Sequence, residues 1–407
     1  MIIEPKIKGF ICITAHPKGC AKNIENNIKY LSGNKKLEIG KIKNVLVIGC
    51  SAGYGLASAM AASFSMGAKV IGAALEKNAQ KERGRTASAG MYNLAAYKKE
   101  ADKRNLDLDI IIGDAFANKT KEKVCDIVNK NKIKIDLIVY SIASPIRIDP
   151  ETGVRYNSVL KPIGKEYKSK GIDLTGFKLN ETLIQPASED EIKNTIKVMG
   201  GEDLELWVDV LAENNLLSEN ASVVSYSYIG PPVTHDIYLN GSVGAAKKHL
   251  KQTSDNLNKK YKIKSYVSVN KALVTQASAA IPVLPLYISL LFKVMKEKNI
   301  HEGCIEQAYR LFEKFRNAEE NKDFNLTDED GFIRLDDLEM REDVQKEVAD
   351  RWEKVTDGNL GELADSDGYR KDFLNLFGFG PDGADYFGEV GEDEIEIDTK
   401  RLGIIEI

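Results

Sequence analysis

A phenol and a primary amine nine positions apart, Tyr238 and Lys247, form the first pair in this chain whose types suit proton transfer. A phenol has an ordinary pKa of about 10, so at neutral pH it is a poor acid–base group unless a cation stabilises its phenolate. Lys247 can supply that field. On one continuous helix nine steps of about 100° would set the two side chains on opposite faces. Asn240-Gly241 between them favours a turn, and Ser242 suits the N-cap of the helix that carries Lys247. Tyr238 therefore belongs to the preceding loop, and both groups can face one site. Taken alone, a tyrosine among 16 and a lysine on a basic helix also read as a core residue and a solvated face.

A second constellation is Gly49-Cys50-Ser51-Ala52-Gly53-Tyr54-Gly55-Leu56, which follows the apolar run Asn44–Ile48 and precedes an alanine-rich helical run to Phe64. Glycines allow a sharp turn and close approach of the backbone to a pyrophosphate, while a helix start offers free N–H groups and a positive dipole end. The spacing resembles the short-chain dehydrogenase/reductase variant of the dinucleotide fingerprint. Glu76, at the end of the next β-rich run, can accept hydrogen bonds from ribose hydroxyls and repel a 2′-phosphate, which favours NADH over NADPH. Lys77, Lys81, Arg83 and Arg85 nearby leave some attraction for a phosphate. Asp114-Ala115 and Ser141-Ile142-Ala143 end two further runs and should line the adenine and nicotinamide-ribose side.

The elements that must position these groups are the runs Asn44–Ile48, Lys69–Ala74, Leu108–Ile112, Asp136–Tyr140, Ala221–Ser225 and Ser265–Val269, alternating with helical patterns. Their continuous Val/Ile content suits strands buried on both sides, so the fold class expected is α/β, a Rossmann-type doubly wound parallel sheet. Pro145 to Asn220 is too long for an ordinary connection and should fold in part over the ligand end of the sheet. After Val269 the pattern predicts an apolar helix, a charged helix through Met295 to Phe315, and an acidic end with Asp382, Asp385, Glu389, Glu392, Asp393, Glu394, Glu396 and Asp398 on a solvated face or loose tail.

Composition narrows the function classes. Lys and Arg total 57 against 61 acids, which gives no uniform positive field for a nucleic acid or an anionic membrane. Cys12, Cys20, Cys50, Cys125 and Cys304 are scattered and form no zinc or redox pair. The histidines show no metal spacing, and the acidic loops ending in Gly331 and Gly368 put leucines at the first ligand position of a calcium loop. Ala279 to Phe292 is too short for a membrane span, which needs about 20 residues. Met1 to Phe10 carries Glu4, Lys6 and Lys8 and lacks the apolar core of a secretion signal, so a cytoplasmic location is expected.

The Tyr-x8-Lys spacing, with Ser227-Tyr228-Ile229-Gly230 before it and Leu273-Val274-Thr275 after it, resembles the FabV-type enoyl reductases, a group that includes the trans-2-enoyl-CoA reductases. The likeness extends to Ala15-His16-Pro17, Gly19-Cys20, Val198-Met199-Gly200-Gly201-Glu202-Asp203 and Ser268-Val269-Asn270-Lys271, and so covers nearly the whole chain. It implies that Tyr238 donates a proton, that Tyr228 contacts substrate and that Lys247 binds NADH. The implied cofactor contacts are Gly49, Cys50, Ser51, Ala52, Gly53, Tyr54, Leu75, Glu76, Asp114, Ala115, Ile142, Ala143, Leu273, Val274 and Thr275. Leu75 stands where many members carry phenylalanine.

The expectation is then a single domain over residues 1–407, with a 1–43 extension, a 44–275 dinucleotide-binding core bearing the 145–220 insertion, and a 276–407 substrate-covering and C-terminal region. Its reaction would send a hydride to the β-carbon of an enoyl thioester, with Tyr238 and Tyr228 facing the enolate oxygen. Leu284, Ile288 and Phe292, four apart, would make an apolar stripe for the acyl chain or ordinary core. The partner is enoyl-CoA or enoyl-acyl-carrier-protein, and the chain would act as a monomer or homodimer. Two other readings remain open: a ketone-acting short-chain dehydrogenase, whose tyrosine and lysine usually lie four apart, and a protein that binds NADH without turnover.

Overall fold

The computed structural model describes residues 2–80, 82, 84–173, 176, 178–381, 383–386 and 388–407. The expected runs become β1 (Asn44–Ile48), β2 (Lys69–Ala74), β3 (Leu108–Ile112), β4 (Ile135–Tyr140), β5 (Leu217–Ser227) and β6 (Lys264–Val269). Two short strands, β7 (Phe332–Arg334) and β8 (Ile405–Glu406), complete a sheet of order β7-β6-β5-β4-β1-β2-β3-β8 in which every neighbouring pair is parallel. Alternate residues of β1 serve opposite faces: Val45 and Val47 enter one core cluster, Leu46 and Ile48 the other. Helices cover both faces, which is why these strands read as unbroken apolar runs. The chain leaves β1 for β2 on one side, and β4 adds on the other, so a crevice opens beyond the carboxyl ends of β1 and β4.

The 145–220 insertion contains two antiparallel hairpins, Ile146–Ile148 with Arg155–Asn157 and Tyr167–Asp173 with Lys178–Ile184, followed by the helices Glu189–Met199 and Glu202–Glu213. The second hairpin reaches the carboxyl end of β5, where the Tyr167 hydroxyl donates to the Val233 carbonyl at 3.1 Å. Gly200-Gly201 separates the two helices because the helix Ser242–Lys260 comes so close: a Cβ on Gly201 would lie 2.2 Å from Thr253 Oγ1. Asp203 is 2% exposed and pairs with Lys121 Nζ at 2.8 Å, while its other oxygen accepts the Tyr140 hydroxyl at 3.0 Å. That pair ties the insertion to the ends of β3 and β4.

Three expectations need correction. The charged helix through Met295 to Phe315 is two helices, Leu284–Glu297 and Cys304–Glu320, broken where Asn299 adopts φ 56° and Gly303 starts the next helix. Of the two readings of the acidic end the solvated face holds and the loose tail does not: Asp385, Glu389, Glu392, Asp393, Glu396 and Asp398 are exposed while Val390, Ile395, Ile397 and Ile404 are buried; Asp382 lies outside the described residues. Ser242 does not cap its helix. It occupies the first helical position after Gly241, and its hydroxyl donates to the Val159 carbonyl at 2.5 Å and accepts the Lys161 N–H at 3.2 Å. The turn itself forms as expected, but Ser242 fastens the insertion instead. The two calcium-like loops spend their acids on the backbone: Asp328 accepts the Phe332 N–H, and Asp365 caps the helix Ser366–Asn375.

Candidate active site

The glycine turn lies between the carboxyl end of β1 and the helix Gly53–Met60. Gly49 has φ 89°, and a Cβ there would come 2.2 Å from the Ser141 carbonyl at the end of β4. Only glycine meets both demands. Gly55 is equally constrained, since its Cβ would stand 1.9 Å from the Gly49 carbonyl. Ala52 precedes the helix without any side-chain cap, so the first N–H groups point outward as an anion would need. The Ser51 carbonyl is fixed by the Asn93 amide at 3.0 Å. Cys50 turns its side chain into the core against Gly72, and burial pushes its thiol up to about 12. Only its backbone is left for a ligand. The Tyr54 hydroxyl donates to the Lys271 carbonyl at 2.6 Å, which joins this helix to the end of β6.

After β6 the chain passes through Leu273 and Val274, both buried, to Thr275, whose hydroxyl caps the short helix Gln276–Ala279 by accepting the Ser278 N–H at 3.0 Å. The Thr275 methyl lies 3.7 Å from where a Cβ on Gly53 would sit, so this strap borders the turn. At the end of β2, Glu76 is half-buried and accepts the Ser88 hydroxyl. Burial raises its carboxyl above the usual range, against the pull of hydrogen bonds from Ser51 and Ser88. Gly90 leaves room for that carboxylate, since a Cβ there would fall 2.0 Å from Glu76 Oε1 and displace it. Leu75 beside it is 64% exposed, an apolar side chain standing free at a strand end. Asp114 accepts the Phe116 N–H at 3.0 Å, and the Ala115 carbonyl holds Lys121 and Trp207. Ile142 is half-buried and Ala143 exposed after β4. Lys77 and Arg85 are exposed; Lys81 and Arg83 lie outside the described residues.

Tyr238 lies in the turn between the short helix Pro232–His235 and the helix Ser242–Lys260, and its carbonyl accepts the N–H groups of Gly241 and Gly244. Its ring meets that of Tyr228 edge-on at 5.1 Å. Lys247 donates to the Tyr226 carbonyl at 2.8 Å, so phenol and amine both attach to the carboxyl end of β5. Among the described residues no hydrogen bond joins the two side chains. Burial alone acts on Tyr238, which is 8% exposed, and pushes its phenol up, away from a phenolate. Burial likewise lowers the Lys247 amine to about 8. Among the described residues no group hydrogen-bonds the Tyr238 hydroxyl.

Three family models tile the chain: the NAD(P)H binding domain of trans-2-enoyl-CoA reductase over residues 2–81, the trans-2-enoyl-CoA reductase catalytic region over 85–315, and an enoyl reductase FAD binding domain over 327–390. The chain belongs to the trans-2-enoyl-CoA reductase family. An enoyl-[acyl-carrier-protein] reductase [NADH] of Flavobacterium johnsoniae is 50% identical over 96% of this chain and 98% of its own length. A trans-2-enoyl-CoA reductase [NADH] of Brachyspira hyodysenteriae is also 50% identical, over 96% of this chain and all of its own. The crystal structure of Treponema denticola trans-2-enoyl-CoA reductase in complex with NAD superposes with a TM-score of 0.90 at 46% identity, covering 96% of this chain and 98% of that one. The described residues of 327–390 do not fit a flavin. Strand β7 runs into buried Leu335 and not into a glycine turn, and the helices Glu342–Lys354 and Ser366–Asn375 bury Val344, Val348, Trp352, Tyr369 and Phe373.

In this family member the stripe Leu284, Ile288 and Phe292 lies on one helix, at 3%, 0% and 0% exposure. Phe292 packs under the Lys271 ammonium at 4.5 Å and against the His301 ring at 4.3 Å. Between this helix and Tyr228 stands a residue the sequence did not single out. Glu339 Oε1 accepts the Tyr228 hydroxyl at 3.1 Å and the Tyr287 hydroxyl at 2.7 Å. It hides in the acidic stretch Asp336-Asp337-Leu338-Glu339, where it looks like one more solvated charge; its apolar neighbours Leu338 and Met340 are the one hint otherwise.

Proposed function

We propose that this chain reduces the carbon–carbon double bond of trans-2-enoyl thioesters with NADH, and that its carrier is coenzyme A. The observation that carries the reading is a buried, protonated and unengaged phenol, Tyr238, set beside Tyr228 at the carboxyl end of β5. When bound, NADH supplies the hydride that adds to the β-carbon. The uncapped helix start at Gly53 and the backbone of Gly49–Tyr54 are suited to its pyrophosphate, Glu76 to the adenosine ribose, and Lys247 to the nicotinamide ribose. Leu75, Asp114, Ala115, Ile142, Ala143 and Leu273–Thr275 would border the same crevice from neighbouring strand ends.

As negative charge develops on the thioester oxygen, phenol hydroxyls aimed at it stabilise the enolate, and Tyr238 delivers its proton to the α-carbon. Saturation of the double bond is then complete, and the phenolate recovers a proton from solvent. The acyl chain would run along Leu284 and Ile288. A cytoplasmic setting belongs to the same reading and is supported by five free thiols. No helix among the described residues is long and apolar enough to cross a membrane.

The relatives' names divide between coenzyme A and carrier protein, both of which present a pantetheine arm. A side-by-side rate comparison of crotonyl-CoA and crotonyl-carrier protein, each with NADH and NADPH, tests the proposal. Fastest NADH oxidation with the coenzyme A ester is expected. Faster reduction on the carrier protein overturns the choice of carrier, and NADH binding without oxidation overturns the enzyme.

A further inference from the structure

Glu339 is 0% exposed, on the segment between β7 and the helix Glu342–Lys354, and every polar group around it has an assignable hydrogen. Its Oε2 accepts the Ala272 N–H at 2.7 Å. Its Oε1 faces two phenols, Tyr287 at 2.7 Å and Tyr228 at 3.1 Å. Gln345 Nε2 donates to the Tyr287 oxygen at 3.1 Å, so Tyr287 receives a hydrogen from Gln345 and spends its own on Glu339. The same amide donates to the Glu339 carbonyl at 2.7 Å and fixes the segment.

The accounting then turns on Tyr228. If Glu339 is ionised, the single Tyr228 hydrogen points at Oε1 and none remains for a thioester oxygen beside Tyr238. If Glu339 is protonated, the acid hydrogen sits on Oε1, because Oε2 faces the Ala272 N–H. Tyr287 already donates to that oxygen, so the acid hydrogen falls to Tyr228. Tyr228 becomes the acceptor, and its own hydrogen, released from Glu339, can rotate toward the Tyr238 side or toward the Thr234 hydroxyl, which itself donates to the Pro231 carbonyl.

We propose that Glu339, as a carboxylic acid, is a positioning residue for the reduction: it donates to the Tyr228 oxygen and so frees the Tyr228 hydrogen for the thioester oxygen. Relative to the carboxylate, one proton from solvent is held on Oε1, the Tyr228–Glu339 hydrogen bond reverses, and the Tyr228 hydrogen turns to the thioester oxygen. The inference rests on the enoyl reductase reading above. The groups facing Glu339 are Lys271 after β6, Tyr54 on the turn helix, Tyr287 on the helix Leu284–Glu297, Tyr228 after β5, and Asp336 on its own segment. Burial raises the Glu339 carboxyl most strongly. Lys271 pulls the other way, but it is itself 2% exposed and lowered to about 8.

The test is the pH dependence of kcat at saturating NADH and crotonyl-CoA. Wild type should lose about 10²–10³-fold as Glu339 ionises, the scale of one lost donor to an oxyanion. Glu339→Gln should lose that fall, because its carbonyl takes the Ala272 N–H and its amide hydrogens face Tyr228 and Tyr287, whose own hydrogen then turns away from this position, while KM for NADH stays put. In a Tyr228→Phe background Glu339→Gln should change kcat no further. A Glu339→Gln profile that superimposes on wild type, or effects that simply add, overturns the inference and leaves the reductase reading standing. If thermal melting shows that Glu339→Gln does not fold, Tyr228→Phe alone decides: a flat kcat profile supports the proposal and an unchanged fall refutes it. No NADH oxidation by wild type at any pH sinks the reductase reading and this inference together.

Discussion

Burial moves the two ends of the Tyr238/Lys247 pair in opposite senses. It holds the phenol's proton through the neutral range, and it brings the lysine to about 8, where ammonium and amine coexist. On the proposed reading Tyr238 gives the proton, and Tyr238→Phe should lower kcat by about 10²–10⁴-fold while NADH affinity persists. Fluorescence titration with NADH beside a turnover assay checks this; full turnover in the variant removes Tyr238 from the chemistry. Lys247 is charged below about 8 and loses its charge as pH rises through that value, so KM for NADH should climb above it. Lys247→Arg, whose guanidinium stays charged, should hold KM flat there. Glu76 behaves with the other sign. Its raised carboxyl takes up a proton at a higher pH than an ordinary glutamate, about 4.3, and once neutral it no longer repels a 2′-phosphate. The NADH/NADPH preference should therefore fall as pH is lowered, beginning above that value, and Glu76→Gln should show the low preference at every pH. A pH-independent ratio in wild type would place the selectivity elsewhere. The placement of Tyr238, Lys247 and Glu76 was legible because local signals mark it: a turn dipeptide, a helix and a strand end. Glu339 was not, because its partners Tyr228 and Ala272 lie 111 and 67 residues away in the chain.

At the scale of elements, β1 to β6 were readable because strands buried on two faces must be apolar at every position. Phe332–Arg334 and Ile405–Glu406 were not, since three or two residues at a sheet edge carry no periodicity. The break after Glu297 rests on single residues and not on a change of periodicity: Asn299, which tolerates positive φ, ends one helix, and Gly303 precedes the next. The helix Leu284–Glu297 was foreseen as an apolar stripe, yet it is buried along nearly its whole circumference, so pattern alone does not separate a pocket wall from core. Its position places it next to the Glu339 cluster: it starts from Val283 at φ 78° and carries Tyr287 to Glu339, while Ile288 is wholly buried. Ile288→Phe should shift the preferred acyl chain toward shorter lengths, and Ile288→Ala toward longer ones at a cost of about 2–5 kcal/mol in stability. Measuring kcat/KM over a series of enoyl-CoA lengths checks it; an unchanged preference in both variants returns Ile288 to the core.

Over the whole molecule, the cofactor side is closed by segments remote in sequence. The helix Pro17–Gly33 starts at His16-Pro17, and Gly19 has no Cβ because one would fall 1.6 Å from the Gly378 carbonyl. Ile3, Val390 and Ile395 form a small cluster of their own. The C-terminal stretch is then stitched to the segment after β2: Asn78 Nδ2 donates to the Ile397 carbonyl at 2.7 Å, the Ile397 N–H returns a bond to Asn78 Oδ1 at 3.0 Å, and the Tyr92 hydroxyl donates to the Ile395 carbonyl at 2.7 Å. One amide side chain thus mimics a strand partner for the tail, two residues beyond Glu76. Asn78→Ala would leave both backbone groups of Ile397 without these partners, at a cost of about 1–3 kcal/mol. Because Tyr238, Lys247 and Tyr228 belong to the other half of the sheet, the loss should be local. Limited proteolysis should cut faster between residues 383 and 397, KM for NADH should rise with the loosened Glu76 segment, and kcat at saturating NADH should hold. Equal proteolysis of variant and wild type would show that the buried isoleucines alone anchor the tail, and a fall in kcat without a change in KM would show that the clamp acts on the chemistry and not on the cofactor.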